Sequence, residues 1–372
     1  MKIKLNLSDL KKALKNVQKA IPSNPQLPIL SSVLFSVADN GLTLAATDLY
    51  LGIRTKVKLN TEETIAVTIP GIMFRDLVNS FNDEYVQISI KEDHLDLKSG
   101  TSQAKLPVQS SVEYPDFPEI KGQKISVSVE VLNEILQMVS YASSLDQVRP
   151  ILTTIMFEFG QNGLEVVATD GFRLAVLKYP ELKTEFEQRL LIPAKSFDEV
   201  TRIINQGESA EVNFQIDQEL KQIKVETDNN EIFIRLVEGE YPPYQKIIPE
   251  SYTTKVEVDG ESLKEELQRA MIFSREASNI VKFQIMSDRL LIKSVSPALG
   301  EYNGEIALIK DNNQHVDQEI AFDIRYLLDF LNSVAPQKII FCMNESLKPA
   351  AFNVDQRDNF TYIVMPFRVN NS

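Results

Sequence analysis

Apolar residues recur at helical spacing in three places along this chain, each near the start of one third of the sequence. The first stripe begins at Leu10, the second 122 residues later at Leu132, and the third 131 residues after that at Leu263. Steps of three and four residues place these side chains on one face, so each stripe predicts an amphipathic helix. The positions are Leu10, Ala13, Leu14, Val17 and Ile21, then Leu132, Ile135, Leu136, Val139 and Ala142, and then Leu263, Leu267, Ala270 and Met271.

Alternating apolar and polar residues follow the first two stripes and predict β-hairpins. The segments "ILSSVLFSVADNGLTLAATDLYLGI" (29–53) and "ILTTIMFEFGQNGLEVVATDGFRLAV" (151–176) share one order: a strand, Asn-Gly-Leu, a second strand, and Ala-Thr-Asp. Asn-Gly between alternating runs is a strong hairpin signal, because both central residues of the favoured turn need a positive φ. We therefore expect Asn40-Gly41 and Asn162-Gly163 to be the central turn residues.

A further strand and a second helical stripe come next in every copy. Pro70 and Pro193 suit a strand-to-helix junction or a first helical turn. At the start of the chain, Ser8 or Asp9 is expected to cap the first helix. The apolar positions of the second stripes are Phe74, Leu77 and Phe81, then Phe197, Val200 and Ile204, and then Leu327, Phe330 and Val334.

Three copies of one order of elements predict three α+β units, over residues 1–123, 124–252 and 253–372. Each unit is expected to contain two helices packed on antiparallel sheet. One apolar stripe per helix covers one face of a sheet, which gives a two-layer unit.

Composition and charge narrow the classes of function. Hydrophobic residues make up 43% of the chain and charged residues 24%, as in ordinary globular proteins. The pattern contains no stretch that would serve as a membrane span or a signal peptide. One cysteine, Cys342, excludes an intrachain disulfide and favours the cytoplasm. A net charge of −13 argues against a protein that grips nucleic acid electrostatically.

The segment "VVATDGFRLAVL" (166–177) has the composition of a catalytic site, with Thr169, Asp170 and Arg173 close together. A hydrolase that uses Asp170 is therefore one hypothesis. The first copy repeats Thr-Asp at Thr47 and Asp48 but lacks the arginine. Because Thr and Asp side chains commonly bond nearby backbone groups, we interpret Thr-Asp as turn chemistry instead.

Other searches predict neither an enzyme nor a cofactor or metal site. The sequence has no Gly-x-Ser-x-Gly elbow and no phosphate-binding glycine loop. Residues 311–317, "DNNQHVD", alternate possible ligands, but an EF-hand would need glycine and glutamate where Val316 and Phe322 stand.

Arg173 beside Leu174, with Gly171 before them, is instead typical of a protein-binding surface. The terminal run "YIVMPFRV" (362–369) is either a second part of that surface or the last core strand.

At this point the chain resembles a known family, the bacterial DNA polymerase III β subunits or sliding clamps. The resemblance covers essentially the full length, and its most specific pieces are "LPIL" (27–30), "ATDGFRLA" (168–175), "GEYPPYQKIIP" (239–249) and "YIVMPFRV". It implies three repeated DNA-clamp domains and a head-to-tail homodimer that closes a ring around duplex DNA. It also implies a non-catalytic processivity factor without cofactors, loaded by an ATP-driven clamp loader. Its partners would be the replicative polymerase, the loader, other polymerases and repair proteins. A monomeric scaffold that binds proteins but no DNA is the remaining alternative.

The family binds short peptide segments of its partners in one pocket, and the resemblance places that pocket on this chain. Two residues depart from the family pattern: Phe172 stands where histidine is common, and Lys246 where arginine is common. Lysine lacks the planar fork of arginine, so the peptide preference is expected to differ. The implied pocket residues are Leu152, Thr169, Gly171, Phe172, Arg173, Leu174, Pro242, Lys246, Ile247, Tyr326, Ile363, Val364, Met365, Pro366, Phe367 and Arg368.

The resemblance also implies a mildly basic lining for the ring and a subunit interface. A closed ring retains DNA by topology, so a few basic residues suffice despite the net charge of −13. At the interface, Ile272 and Phe273 are expected to meet the edge strand near Leu106 of the other subunit. Asn24 stands where the family has a DNA-contacting arginine, so no contact is assigned there. The candidate DNA-facing residues are Lys11, Lys12, Lys15, Lys19, Lys195, Arg202, Lys264, Arg269 and Arg325.

Overall fold

The part of the chain that the structure describes contains six α-helices, which form where the six apolar stripes predict them. Two of them end earlier than the stripes, since tight 3₁₀ turns at Gln18–Ala20 and Ser140–Ala142 replace the last helical turn. The first cap differs too: the Asn6 side chain, rather than Ser8 or Asp9, accepts the free N–H groups of the first turn. The helices are α1 (Leu7–Val17), α2 (Gly71–Ser80), α3 (Val129–Met138), α4 (Ala194–Ile204), α5 (Gly260–Ser274) and α6 (Ile324–Val334).

The computed structural model describes residues 1–38, 41–275, 278–311 and 318–368, and their strands follow the predicted order. The first repeat has β1 (Lys2–Asn6), β2 (Ser32–Ala38), β3 (Gly41–Thr47), β4 (Leu51–Lys58), β5 (Ile65–Pro70), β6 (Tyr85–Ile90), β7 (His94–Ser99), β8 (Ser102–Pro107) and β9 (Gln109–Ser110). The second has β10 (Gln123–Ser128), β11 (Thr154–Gly160), β12 (Gly163–Thr169), β13 (Arg173–Tyr179), β14 (Gln188–Pro193), β15 (Glu211–Asp217), β16 (Gln222–Glu226) and β17 (Asn230–Arg235). The third has β18 (Thr254–Asp259), β19 (Ile280–Ile285), β20 (Arg289–Ser296), β21 (Gly300–Ala307), β22 (Lys310–Asp311), β23 (Gln318–Asp323), β24 (Lys338–Met343), β25 (Ala350–Val354) and β26 (Phe360–Val364).

Contacts divide the chain into two units, and the second repeat contributes to both. Unit 1 contains residues 1–132 and 195–236, and unit 2 contains residues 133–194 and 237–372. In unit 1, a nine-stranded sheet has the order β10-β15-β16-β17-β4-β3-β2-β5-β9, beside a four-stranded sheet β1-β6-β7-β8. In unit 2, the orders are β14-β11-β12-β13-β26-β25-β24-β18-β22 and β21-β20-β19-β23. Every strand pair within the described residues is antiparallel, and the helices pack on these sheets, so the α+β class is confirmed.

Each nine-stranded sheet joins two repeats through one pair of strands. In unit 1 β17 pairs with β4, and in unit 2 β13 pairs with β26. The predicted helix faces supply much of the core: Leu10, Leu263 and Phe330 are almost fully buried. No helix within the described residues is both long and apolar enough to cross a membrane.

The second hairpin turn differs from the expected one. Gly160 pairs with Gly163, so the two turn residues are Gln161 and Asn162. Of these positions only Gly163 has a positive φ, +104°, and it lies after the turn rather than inside it. Glycine at this place follows an ordinary type I turn, in which the central residues keep negative φ. In the first hairpin, Asn40 lies outside the described residues.

Gly163 cannot carry a side chain without a clash, because a Cβ atom there would come within 2.2 Å of the carbonyl oxygen of Tyr179. We expect Gly163→Ala to lower the free energy of unfolding by about 2 kcal/mol or more, through both the left-handed backbone and the clash. Gly300→Ala is a matched control in the same unit, since φ there is +100° but the Cβ would meet open space. That control should lose only the conformational part, about 1 kcal/mol. Urea unfolding followed by circular dichroism measures both, and equal losses would contradict the role given to the Tyr179 carbonyl.

Candidate peptide-docking site

A five-residue turn at the start of β13 is held by two side chains of its own. The Thr169 hydroxyl donates to the carbonyl oxygen of Arg173 at 2.5 Å and accepts from the Gly171 N–H at 3.1 Å. Oδ1 of Asp170 accepts from the N–H groups of Phe172 and Arg173 at 2.8 and 3.0 Å. Such bonds replace a backbone turn and fix the direction of the residues that follow. Gly171 itself has φ +93°, and a Cβ on it would meet nothing within 4 Å.

The same turn occurs in the first repeat. The Thr47 hydroxyl bonds the Leu51 carbonyl and the Leu49 N–H, and Oδ1 of Asp48 accepts from Tyr50 and Leu51. The interpretation of Thr-Asp as turn chemistry is thus confirmed, since both carboxylates perform the same structural task. A catalytic role for Asp170 loses its motivation, because its oxygens are occupied by backbone groups and by Arg173.

Arg173 is the most constrained charge of the site. Its Nε donates to Asp170 at 3.0 Å and its Nη1 to Asp329 at 2.6 Å, while its side chain is only 9% exposed. The guanidinium carbon lies 4.9 Å from the ring centre of Tyr326 and 5.9 Å from that of Tyr141. Burial opposes the charged form, but Tyr362 and the carboxylates of Asp329 and Asp170 together outweigh it, so the pKa of Arg173 is raised. Arg173 is therefore a fixed cation beneath the surface rather than a mobile clamp.

An aromatic surface lies over this cation. The Phe172 side chain is 61% exposed, and its ring is nearly parallel to that of Tyr326, with 6.3 Å between centroids. The Met365 N–H donates to the carbonyl of Phe172 at 2.8 Å, which brings the terminal segment to the same place. We call Gly171, Phe172, Tyr326 and Met365 the docking patch. Open space above Gly171 and an exposed aromatic ring suit an extended peptide that lies across the patch.

Five residues of the implied pocket are buried instead of lining a surface. Leu174 and Ile363 form a cross-strand pair in the middle of the sheet and belong to one core cluster with Tyr241 and Tyr244. Leu174 was expected to form an exposed apolar wall of the pocket, and this expectation is corrected. Its side chain is only 2% exposed, because it faces the core from a central strand. The five buried residues are Leu152, Thr169, Leu174, Ile363 and Val364.

The other implied pocket residues reach the surface to different degrees. Ile247 is half-buried against the same core cluster, whereas Lys246, one position earlier, is exposed. Phe367 is 42% exposed and its N–H donates to the carbonyl of Ala321 at 2.7 Å. Pro242 and Pro366 are half-buried, and Arg368 is exposed. Of the terminal run "YIVMPFRV", residues 362–364 belong to β26 and are core, residues 365–368 reach the surface, and Val369 lies outside the described residues.

Sequence reasoning missed two residues that orient Arg173. Asp329 lies three positions after Tyr326 on α6, so the two side chains share a face, and this spacing was the available signal. Tyr141 lies in the 3₁₀ turn after α3 and is half-buried under the guanidinium. Its contact joins residues more than thirty positions apart, which no local pattern reveals.

Several candidate DNA-facing cations have partners within the protein. The Lys11 ammonium donates to the carbonyls of Asn79 and Phe81 at the end of α2, so it caps that helix. Lys19 pairs with Glu199 at 2.8 Å, and Arg202 lies 3.9 Å from the same carboxylate. Arg269 is bound by Glu265 and Glu266, and Arg325 by Asp323.

Four of the candidates remain without such partners. Lys12, Lys15, Lys195 and Lys264 form no ion pair within the part of the chain that the structure describes, and the first three are exposed. Lys12 and Lys15 lie on one side of α1, beside a groove that α1 forms with the end of α2. Among the candidate residues, these lysines are therefore available to a polyanion.

The candidate interface residues divide in the same way. Ile272 on α5 is 62% exposed, and Phe273 stacks on Tyr302 of β21 with centroids 6.0 Å apart. Leu106 on β8 is buried within its own sheet, so the exposed part of that strand is its backbone edge and its outward residues.

Metal and thiol chemistry find little support among the described residues. No group of three His, Cys, Asp or Glu side chains within residues 1–38, 41–275, 278–311 and 318–368 could hold a metal ion. Asn313, His315 and Asp317 of the alternating loop lie outside the described residues. Burial raises the pKa of the Cys342 thiol to about 11, which makes it a poor nucleophile.

Comparison with known proteins identifies the family. The DNA polymerase III beta subunit N-terminal domain matches residues 1–118, the central domain residues 126–243 and the C-terminal domain residues 245–368. The chain therefore belongs to the DNA polymerase III beta subunit family.

Curated relatives and solved structures agree over the full length. The beta sliding clamp of Synechocystis is 28% identical, with both chains covered completely. That of Haemophilus influenzae is 26% identical, covering 99% of this chain and 100% of its own. The DNA polymerase III beta subunit of Thermotoga maritima superimposes with a TM-score of 0.92 at 27% identity, covering 99% of this chain and 100% of its own. The Pseudomonas aeruginosa sliding clamp bound to griselimycin gives 0.92 at 26%, with the same coverage.

The two functions of Asp170 can be separated by substitution. Asp170→Ala should lower the free energy of unfolding by about 2 kcal/mol, since two backbone bonds and the partner of Arg173 are lost. Asp170→Asn keeps an acceptor for the backbone and should lose less than half as much. Urea unfolding compares them, with Asp48→Ala as the control that removes the equivalent turn bonds without an arginine. If Asp170→Asn were as damaging as Asp170→Ala, the charge on Arg173 would matter more than the turn.

Proposed function

We propose that this chain is a sliding clamp, a non-catalytic processivity factor that encircles duplex DNA and tethers the replicative polymerase. Family membership and three clamp domains support this function. The observation that supports ring closure is a pair of open strand edges. One lies in the first repeat and one in the third, because each of these repeats has a four-stranded sheet that is not joined to another repeat.

The repeats themselves indicate which edges would join. Each repeat supplies two four-stranded half-sheets, and β8, β17 and β26 occupy the same place in one kind of half. Likewise β4, β13 and β21 occupy one place in the other kind. Within the chain β17 joins β4 and β26 joins β13. The equivalent strands β8 and β21 each pair with one neighbour, and their outer edges are not paired within the described residues. We infer that β8 of one copy pairs with β21 of another, a head-to-tail contact that can close.

Side chains beside these edges fit such a junction. Ile272 exposes an apolar side chain on α5, which packs against β21, and Phe273 lies over Tyr302 of that strand. Lys105 of β8 and Glu301 of β21 are both exposed, so opposite charges would meet across the new pair. In this proposal Leu106 supports the edge from the core side rather than contacting Ile272 directly.

A ring explains how an acidic protein retains DNA. Topology prevents escape, so attraction to phosphates only needs to keep the duplex centred, and strong binding would slow sliding. Lys12, Lys15, Lys195 and Lys264 are the cations we assign to the lining. Lys11, Lys19, Arg202, Arg269 and Arg325 act mainly within the protein, because their charges are already engaged.

We assign partner binding to the docking patch. Apolar area for several different peptides is offered by its exposed aromatic ring and by the flexible Met365. The half-buried residues Ile247, which packs on the core cluster, and Pro242 add to it. The polymerase, the clamp loader, other polymerases and repair proteins would use it in turn. Phe172 gives this surface a wholly apolar ring, which favours aliphatic and aromatic peptide residues over polar ones.

Domain limits and compartment complete the proposal. The segments 111–122 and 236–253 carry no strand pairing between repeats, and we place the domain boundaries there. We propose a first boundary slightly before the expected limit of 123/124, because β10 begins at Gln123. We also propose that the protein acts in the cytoplasm, since its proposed partners, bacterial DNA and the replicative polymerase, are there.

Phe172→Asp should abolish binding of a peptide from the cognate replicative polymerase while the fold and the dimer persist. The charge would stand on the patch, and because the Phe172 side chain is already exposed the core should not change. Fluorescence anisotropy with a labelled peptide measures the affinity. Leu220→Asp is the matched control, as Leu220 is 46% exposed in unit 1 and lies outside the pocket residues. Unchanged affinity in Phe172→Asp would refute the assignment of the patch.

Retention on circular DNA tests the ring. After loading by the cognate loader with ATP, the parent should stay on a closed plasmid at high salt and leave once the plasmid is linearised. Ile272→Asp should give a particle of about 42.1 kDa by light scattering, in place of a dimer, and should not be retained. Leu220→Asp serves again as the control. Equal retention on circular and linear DNA, or a parent that is monomeric at micromolar concentration, would reject the clamp.

A further inference from the structure

Unit 1 contains a second exposed aromatic surface built on the repeated turn. Tyr50 follows Thr47-Asp48 as Phe172 follows Thr169-Asp170, and both aromatic side chains are 61% exposed. The Arg235 N–H donates to the Tyr50 carbonyl at 2.8 Å, as the Met365 N–H does to that of Phe172. The two surfaces therefore share turn, strand junction and aromatic residue.

Leu49 is unusual at this turn. It has φ +75° where the equivalent Gly171 has +93°, so an L-residue is held in a conformation that glycine normally supplies. Its side chain is nevertheless 39% exposed and gains little from the core. Strain retained at an exposed apolar residue is more common at binding sites than elsewhere.

A small cavity of about 100 Å³ lies beside Leu49 and Tyr50. The segment 115–118 forms its other side, and Phe117 packs so closely on β4 that a Cβ on Gly52 would come within 2.8 Å of the ring. Its lining includes Thr47, Leu49, Tyr50, Pro115, Phe117 and Arg235. Two proline residues, Pro115 and Pro118, limit how far this side can rearrange.

Arg235 is the available cation of this cavity. Its guanidinium carbon lies 5.9 Å from the centre of the Tyr50 ring, and it has no carboxylate partner in the described part of the chain. Arg54, by contrast, pairs with Glu231 and stacks over Phe117. Asp116 is the carboxylate among the lining residues. An exposed arginine without a carboxylate partner, beside an exposed ring, favours an acidic ligand because a guanidinium forms charge-assisted hydrogen bonds with a carboxylate.

We propose that this surface is a second docking site, which binds a short extended peptide with an acidic residue next to leucine or phenylalanine. The apolar side chain would enter the cavity between Leu49 and Phe117, and the carboxylate would bond Arg235. The site goes beyond the docking patch of the proposed function, and each copy of the chain could hold two partner segments at once. Two moderate sites on one clamp raise the effective concentration of a second partner.

The probe is the tetrapeptide Gly-Asp-Leu-benzoylphenylalanine with a fluorescein label, used on the full chain carrying Phe172→Asp. Binding should remain in that variant, and photocrosslinks mapped by mass spectrometry should fall within residues 47–58 or 113–121. Tyr50→Asp added to it should abolish binding. Arg235→Ala should weaken binding about tenfold, the effect of one lost charge-assisted hydrogen bond. Asp116→Asn should strengthen it, because a competing carboxylate is removed.

Controls separate this site from the docking patch. Arg189→Ala removes an exposed arginine of unit 2 and should leave the affinity unchanged. If Phe172→Asp alone abolishes binding and crosslinks to unit 1, the second site is refuted and the docking patch stands. If Phe172→Asp has no effect on the parent while Tyr50→Asp removes all binding, the second site stands and the docking patch is refuted.

Two further outcomes would also overturn the proposal. Equal affinity in Arg235→Ala would exclude recognition of the carboxylate. A change of particle mass with Tyr50→Asp, without any change in peptide binding, would make this surface a contact between copies of the chain. Circular dichroism of the variants checks folding, which the exposure of Tyr50 and Arg235 should preserve.

Discussion

An unpaired strand edge presents a row of backbone N–H and C=O groups, and the need to pair such edges organises this chain. Each repeat makes two four-stranded half-sheets that end in open edges. The second repeat satisfies both of its inner edges, through β17 with β4 and β26 with β13. The equivalent edges of the first and third repeats, on β8 and β21, are not joined to another repeat within the described residues. The proposed dimer is the same pairing made once more between two chains, so one interaction accounts for the fold and for the ring.

The Thr-Asp turn shows how a structural device acquires different uses in different repeats. In both copies the aspartate fixes the backbone and presents an aromatic residue to solvent. In the second copy an arginine follows and is held by Asp170 and Asp329 beneath the ring of Tyr326. In the first copy the corresponding residue is Leu51, and the nearby cation is Arg235 from the adjacent strand. The surfaces are thus related in backbone and different in charge placement.

Five of the nine candidate DNA-facing cations have partners within the protein. Lys11 caps a helix, and Lys19, Arg269 and Arg325 each face a carboxylate, so few of the helix cations remain for a polyanion. A protein that held DNA by affinity would be poorly served by this arrangement. A ring that retains DNA by topology needs only a weak, sequence-independent attraction, which the uncommitted lysines of α1 and α4 would supply in the proposed ring.

The sequence by itself determined the repeats, the positions of the six helices, the order of the elements along the chain and the role of Thr-Asp in its turn, because hydrophobic periodicity and Thr-Asp bonding are local properties. It also indicated residues 171–174 as part of a protein-binding surface. It could not tell that Leu174 and Ile363 face the core, since that depends on β13 lying in the middle of a nine-stranded sheet. Nor could it tell that Lys11 bonds the backbone at the end of α2, or that Asp329 and Tyr141 contact Arg173. Those partners lie far apart along the chain, and only the tertiary structure decides which of them meet.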